Sequence, residues 1–217
     1  MKKLFCLVIL LNICLVGTRA QILPTTNLYD TNLMMAHLNA VRQMSERAAQ
    51  IRATVQPYRE RMYQFYREGK YREALEVCYE VRRNYVYYVH DNKAISDMEI
   101  IAGDCATRMR AYEAATDWYQ TAKQAGETGM DSRLSNVFEL AIGDAREAYR
   151  NRNYSSLWDN VSLALKTGWE SGECYYYYGV CYEQSNNLRE AKKMYKLAKK
   201  KKYAPAIIAL QELKKKR

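Results

Sequence analysis

"YYYYGVCYEQSNNLREAKKMYKLA", residues 175–198, places four consecutive tyrosines, a glycine and a fifth tyrosine ahead of a lysine-rich run. Three readings compete: a sticky β-strand, an aromatic binding patch, or packing on a helix. The period decides between them. Residues three and four apart share one helical face. Tyr175, Tyr178, Gly179 and Tyr182 form one such set, and Ala191, Tyr195 and Ala198 form another. No stretch of the chain alternates apolar and polar residues over strand length between turn residues, and only Pro24, Pro57 and Pro205 interrupt it. The pattern predicts an all-α chain. Gly179 then lets the following helix cross closely, with Ala191 as the small partner. Tyr175, Tyr178 and Tyr182 fill the spaces beside the crossing, each with an apolar body and a hydroxyl at the rim.

The same frame recurs. In residues 175–198 it reads Tyr175-x₂-Tyr178-Gly179-x₂-Tyr182, then Ala191-x₃-Tyr195 and Ala198. An earlier copy supplies Gly103, Ala106, Tyr112, Ala115, Tyr119 and Ala122, and another Ala145, Ala148, Tyr154, Leu157, Val161 and Ala164. The first supplies Met62, Phe65, Gly69, Tyr71, Ala74, Cys78 and Val81. This spacing resembles the tetratricopeptide repeat. "AKKMYKLAKKKKYAPAIIAL" and "AATDWYQTAKQAG" resemble the related Sel-one-like repeat. As a whole the chain is similar to small exported tetratricopeptide proteins of Bacteroidota-type bacteria. Ala74, Ala115, Leu157 and Ala191 are 41, 42 and 34 apart. Only the last is the standard period, so extra residues are expected in the joints near "YVYYVHDN" and "GETGMDSR". The resemblance implies a solenoid of about four antiparallel helix pairs over residues 56–204, preceded by a lead-in and N-terminal helix over 21–55 and closed by a basic capping helix over 205–217.

The resemblance also implies a concave groove lined by the first helix of each pair, one step round from the packing face. Its expected partner-binding residues are Arg59, Tyr63, Tyr66, Arg67, Arg108, Arg146, Tyr149, Arg150 and Tyr176. Ile100, Asp104, Thr107, Ile142, Val180, Glu183 and Gln184 complete that face. Arginine and tyrosine suit an extended, acidic peptide or protein segment, through bidentate hydrogen bonds and ring contacts. The competing reading makes these arginines a solvated face paired with nearby carboxylates. The lysine and asparagine carboxylate clamp of chaperone-binding relatives is not reproduced.

Residues 1–20 read as a secretory signal: a basic "MKK", the apolar run "LFCLVILLNICLV", and small or polar residues ending at Ala20. An exported, periplasmic or secreted protein is expected, with cleavage near Ala20. Of the net charge of +10, Lys2, Lys3 and Arg19 would leave with the leader, giving +7. Residues 189–217 carry twelve Lys/Arg against two Glu, so the body over 21–188 is near −3. Leu33, His37, Val41, Met44, Ala48, Ile51 and Val55 form one apolar helical stripe, with Asp30 or Thr31 as its cap and Pro57 as its end or kink. The stripe suits packing on the first repeat or, being nearly coiled-coil-like, dimerisation. Cys78, Cys105, Cys174 and Cys181 read as small buried residues, with a Cys78–Cys105 bridge left open.

No catalytic constellation is legible. His37 and His90 have no Cys, Ser or paired carboxylate at a recognisable spacing, and no phosphate loop, metal signature or cofactor motif occurs. Asn153-x-Ser155 and Asn160-x-Ser162 match the short glycosylation sequon. The runs Lys199–Lys202 and Lys214–Arg217 lack the interleaved aromatics of a nucleic-acid surface. They read as the solvated side of a cap in which Ala206, Ile207, Leu210 and Leu213 cover the last repeat, or as a surface for anionic lipid. The expected function is a non-catalytic scaffold or adaptor. The alternative is an envelope- or membrane-surface protein acting through its lysine-rich end.

Overall fold

The computed structural model describes residues 27–85 and 95–215, and these hold nine α-helices and no strand. They are α1 (Asn27–Arg67), α2 (Tyr71–Tyr85), α3 (Ser96–Arg108), α4 (Tyr112–Gln124), α5 (Met130–Arg150), α6 (Tyr154–Lys166), α7 (Gly172–Gln184), α8 (Leu188–Lys200) and α9 (Pro205–Lys215). The expected leader, the Pro24 lead-in, residues 86–92 of the joint "YVYYVHDN" with His90, and Lys216–Arg217 lie outside the described residues. Among the described residues no helix is long and apolar enough to cross a membrane.

The chain divides into two units, residues 1–47 and 48–217. In the second, consecutive helices from α2 to α9 pack as neighbours, most extensively within the pairs α3–α4, α5–α6 and α7–α8. One turn recurs at every pair. Gly69, Arg110, Arg152 and Asn186 all adopt the left-handed conformation, at φ 74, 58, 54 and 59°. Each N–H bonds a carbonyl three residues back. The next residue bonds one five back: Lys70 to Phe65, Ala111 to Ala106, Asn153 to Ala148 and Asn187 to Tyr182. This double closure satisfies the carbonyls left at a helix end and reverses the chain. Lys202, at φ 62°, repeats it before α9. Three of these five positions carry Arg or Lys, so only Gly69 and Asn186 advertised the turn. Asn153 and Asn187 then cap α6 and α8 by accepting from Ser156 and Glu190 N–H.

α3, α4, α6, α7 and α8 are each 13 residues long, and the starts of α6 and α8 lie 34 positions apart. α5 has 21 residues. The eight extra residues expected in the joint near Gly126 are therefore two added helical turns at the start of α5. Five residues join α4 to α5, and five join α6 to α7. Met130, Leu134, Val137, Phe138 and Ala141 are all buried and recur at three and four, so the helical period already ran through the supposed insertion.

Two buried clusters make the core. One gathers Val55, Met62, Ala74, Cys78, Val81, Met98, Cys105 and Trp118, and the other runs from Ala106 to Leu213 through the later pairs. The second-helix positions Ala74, Ala115, Leu157 and Ala191 are fully buried. The nearest neighbour at Gly179 is the Tyr195 ring: a Cβ there would stand 3.1 Å from the Tyr195 Cγ and nearer still to Cδ1 and Cε1. Gly103 faces Tyr119 in the same way. The most buried member of the tyrosine run is Tyr177; Tyr175, Tyr178 and Tyr182 are only partly buried. Ala206, Leu210 and Leu213 of α9 pack inward, whereas Ile207 is exposed. The four described cysteines are buried free thiols. Desolvation pushes Cys78 and Cys105 up to about 12.

Within α1, residues 48–67 contribute Ile51, Val55 and Met62 to the core. Residues 27–47 are helical and expose Leu33, Met34, Met35, Leu38, Val41 and Met44. The expected stripe thus packs only from Ala48 onward. The helix begins at Asn27, ahead of the expected caps, and runs through Pro57 to Arg67. Proline removes one N–H and leaves the carbonyl four residues earlier without its donor. Here that residue, Ala53, is exposed, as is Pro57, so the freed group lies on the solvent side of the helix.

Candidate functional site

The first helices of successive pairs meet along one face, and at their ends stands a polar cleft of about 380 Å³. α1 contributes Tyr66, α3 Asp104, Thr107 and Arg108, α4 Tyr119, and α5 Ser132, Arg133 and Asn136. Asp104 organises one wall. It forms an ion pair with Arg133 and accepts the Tyr119 hydroxyl at 2.7 Å, while Thr107 Oγ1 lies 3.3 Å from that hydroxyl. Burial, helped by the bond to Asp104, pushes the Tyr119 phenol up to about 12, so it remains a donor at physiological pH. Arg133 lies 5.7 Å from the Tyr119 ring centroid. This wall is internally neutral.

Arg108 forms the other wall and joins no ion pair among the described residues. Its guanidinium stands 5.3 Å from the Tyr71 centroid and 6.0 Å from that of Tyr66. The two rings meet edge to face at 5.8 Å. Hydrogen bonding to Tyr66 raises the Arg108 pKa further above its ordinary value. The result is an exposed fork held open by two rings, with its charge uncompensated. Such a group accepts a carboxylate or another planar anion in bidentate fashion.

Further along, Tyr149 and Tyr176 bring their hydroxyls to 3.2 Å, and Tyr176 is ringed by Tyr149, Tyr177, Tyr195 and Tyr203 at 5.3–6.1 Å. Burial raises the Tyr176 phenol well above its ordinary value. Arg146 chelates Glu173 through Nε and Nη2, both at 2.8 Å, and Glu173 also accepts the Tyr177 hydroxyl at 2.9 Å. That carboxylate raises the Arg146 pKa.

The nine expected residues therefore divide. Arg59 binds Asp97 at 2.7 and 3.1 Å, and Arg146 binds Glu173. Both join successive first helices and already hold carboxylates. Tyr63 is half-buried beside the Arg59–Asp97 pair, its pKa raised first by burial and then by Asp97. Tyr149 and Tyr176 belong to the aromatic cluster. Tyr66 and Arg108 come together in the cleft. Arg67 and Arg150 are exposed and form no ion pair or side-chain hydrogen bond with the described residues. Ile142 and Val180, expected on the same face, are buried core residues. Arg133, Ser132 and Asn136 were missed because they stand on the added turns of α5. The apolar period from Met130 onward was the available signal.

A second cleft, of about 520 Å³, opens beside α2, α4 and α6 and is lined by Tyr79, Arg82, Arg110, Tyr112, Asp117, Trp118 and Leu163. Arg82 lies 3.6 Å over the Trp118 ring and bonds Glu99 Oε1 and Thr121 Oγ1, each at 3.3 Å. Glu99 is almost fully buried, and its Oε2 has no partner among the described residues. Desolvation raises its pKa, opposed by Arg82. No family model matches the chain, and no curated protein matches it.

Proposed function

We propose that this protein is a non-catalytic scaffold or adaptor of the tetratricopeptide type, an exported α-solenoid that holds an acidic peptide or protein segment against the face formed by its first helices. The observation that carries this reading is Arg108. It is exposed, set beside the Tyr66 and Tyr71 rings, and joined to no carboxylate by an ion pair among the described residues, in a cleft whose other cation is already neutralised. The 34-residue spacing and recurring turn support the repeat assignment. Helix pairs too short to bury their own faces gain a core by stacking and leave one long surface free. Arg67, Arg108 and Arg150 supply the charge for a partner, while Arg59 and Arg146 brace one first helix against the next.

Displayed random peptides selected on the parent protein test this. Enrichment of sequences with Asp, Glu or a free C-terminal carboxylate is expected, with affinity falling at least about tenfold in Arg108→Ala, the loss of one charge-assisted pair. Arg72→Ala, at an exposed position on α2, is the control. Enrichment indifferent to charge, or equal binding by an Arg67/Arg108/Arg150 triple alanine variant, would refute the reading.

A further inference from the structure

The outer side of α8 concentrates positive charge on a single helix. Several cations elsewhere in residues 48–217 are answered by carboxylates: Arg59 by Asp97, Arg82 by Glu99, Arg110 by Asp144, Arg133 by Asp104, Arg146 by Glu173, while Arg67, Arg108 and Arg150 stand singly, each on a different helix. Along α8, Arg189, Lys193, Lys196 and Lys200 follow at spacings of four, three and four and are all exposed. They form one straight stripe opposite the buried Ala191, Tyr195 and Ala198. Lys193 pairs with Glu190, and Lys201 with Glu170. Lys196, Lys199, Lys200 and Lys202 have no carboxylate partner among the described residues. Beside the stripe is an open cavity of about 640 Å³, lined by Glu170, Tyr175, Leu197 and Lys200–Lys202. Leu197 is 37% exposed, and the Lys201 ammonium lies 5.9 Å from the Tyr175 centroid.

We propose that this side of α8 is a docking surface for an anionic phospholipid bilayer. Three features select a bilayer. Apart from Arg189 the free cations here are lysines, mobile point charges that suit a fluid array of phosphates better than one fixed partner. The stripe is straight and matches a plane. The cavity pairs ammonium groups with the apolar Tyr175 ring and Leu197, which fits a phosphate with the glycerol and first methylenes behind it. Lys200 and Lys202 take the phosphate, while Lys201 stays tied to Glu170. Each stripe lysine near the surface adds about fivefold to the partition coefficient. The cavity is lined from α7, α8 and the segments beside them, and the cleft of Arg108 from α1, α3, α4 and α5, so the two surfaces share no residue.

The test is co-sedimentation of the full chain with vesicles of neutral phosphatidylcholine and with vesicles containing about one-third phosphatidylglycerol. The neutral arm subtracts every contribution other than charge, and the glutamine variant below separates the charge of α8 from that of the basic residues 1–20. Preference for the anionic vesicles is expected, falling steeply from roughly 0.1 to 1 M salt as the screening length shrinks from about 10 to 3 Å. The Lys193→Gln/Lys196→Gln/Lys200→Gln variant should lose on the order of 100-fold of that preference, with its helical circular dichroism intact. The corresponding triple arginine variant should keep it. Equal partition into both vesicles, or an unaffected glutamine variant, overturns the proposal. So does full displacement by inorganic phosphate at constant ionic strength, which would mark a free-phosphate site.

Discussion

Adding one methyl group at Gly179 probes how the last helix pair is held. The new Cβ would meet the Tyr195 ring inside contact distance at three carbons. That ring has little freedom to move. It is fully buried, its hydroxyl donates to Glu183 Oε2 at 2.7 Å, and Tyr176 lies 5.6 Å away. Overpacking of this kind costs about 1–3 kcal/mol, while replacing glycine by alanine inside a helix returns about 1 kcal/mol. Gly143 separates the two effects. It lies inside α5, and a Cβ there would meet nothing within 4 Å. Gly143→Ala should therefore stabilise by about 0.5–1 kcal/mol, and the difference between the two variants isolates the overpacking term. For a chain of this size each kcal/mol moves the melting temperature by about 2–4 °C, so thermal unfolding should place Gly179→Ala about 3–10 °C below Gly143→Ala. In a Tyr195→Leu background the penalty at Gly179 should shrink or vanish. Equal upward shifts for both alanine variants would refute the close crossing.

Two further outcomes follow from local geometry. Glu99 binds its proton more tightly folded than unfolded, because burial raises its pKa. The stability it contributes is present below the ordinary glutamate range and is lost as pH rises through the raised value. Glu99→Gln should therefore gain on the parent between acid and neutral pH; a stability difference that is flat with pH in chemical denaturation would contradict this. Arg152 sits in left-handed backbone at φ 54°, where glycine carries no Cβ penalty. Arg152→Gly should raise stability by about 0.5–1 kcal/mol, and a loss of stability would show that the Arg152 side chain contributes more than the backbone strain costs.

The sequence itself determined the all-helical content. Small and aromatic residues recurring at three and four appear in every helix from α2 to α8, and no competing alternation occurs. It also marked the close approaches: Gly103 and Gly179 are glycines because a tyrosine ring lies on each. Which tyrosine lay there was not legible, since Tyr195 and Ala191 are on one face of α8 and only the crossing selects between them. The length of α1 was misjudged because proline is read as a stop, yet the carbonyl it frees, at Ala53, lies on the solvent side of the helix. The fate of the arginines depended wholly on tertiary structure. Arg59, Arg108 and Arg146 look alike along the chain, but Asp97 and Glu173 approach two of them from the next first helix, and Tyr66 and Tyr71 approach the third. Periodicity is a property of neighbours in sequence and survives in one dimension. Charge compensation is a sum over neighbours in space, which exists only once the helices are stacked.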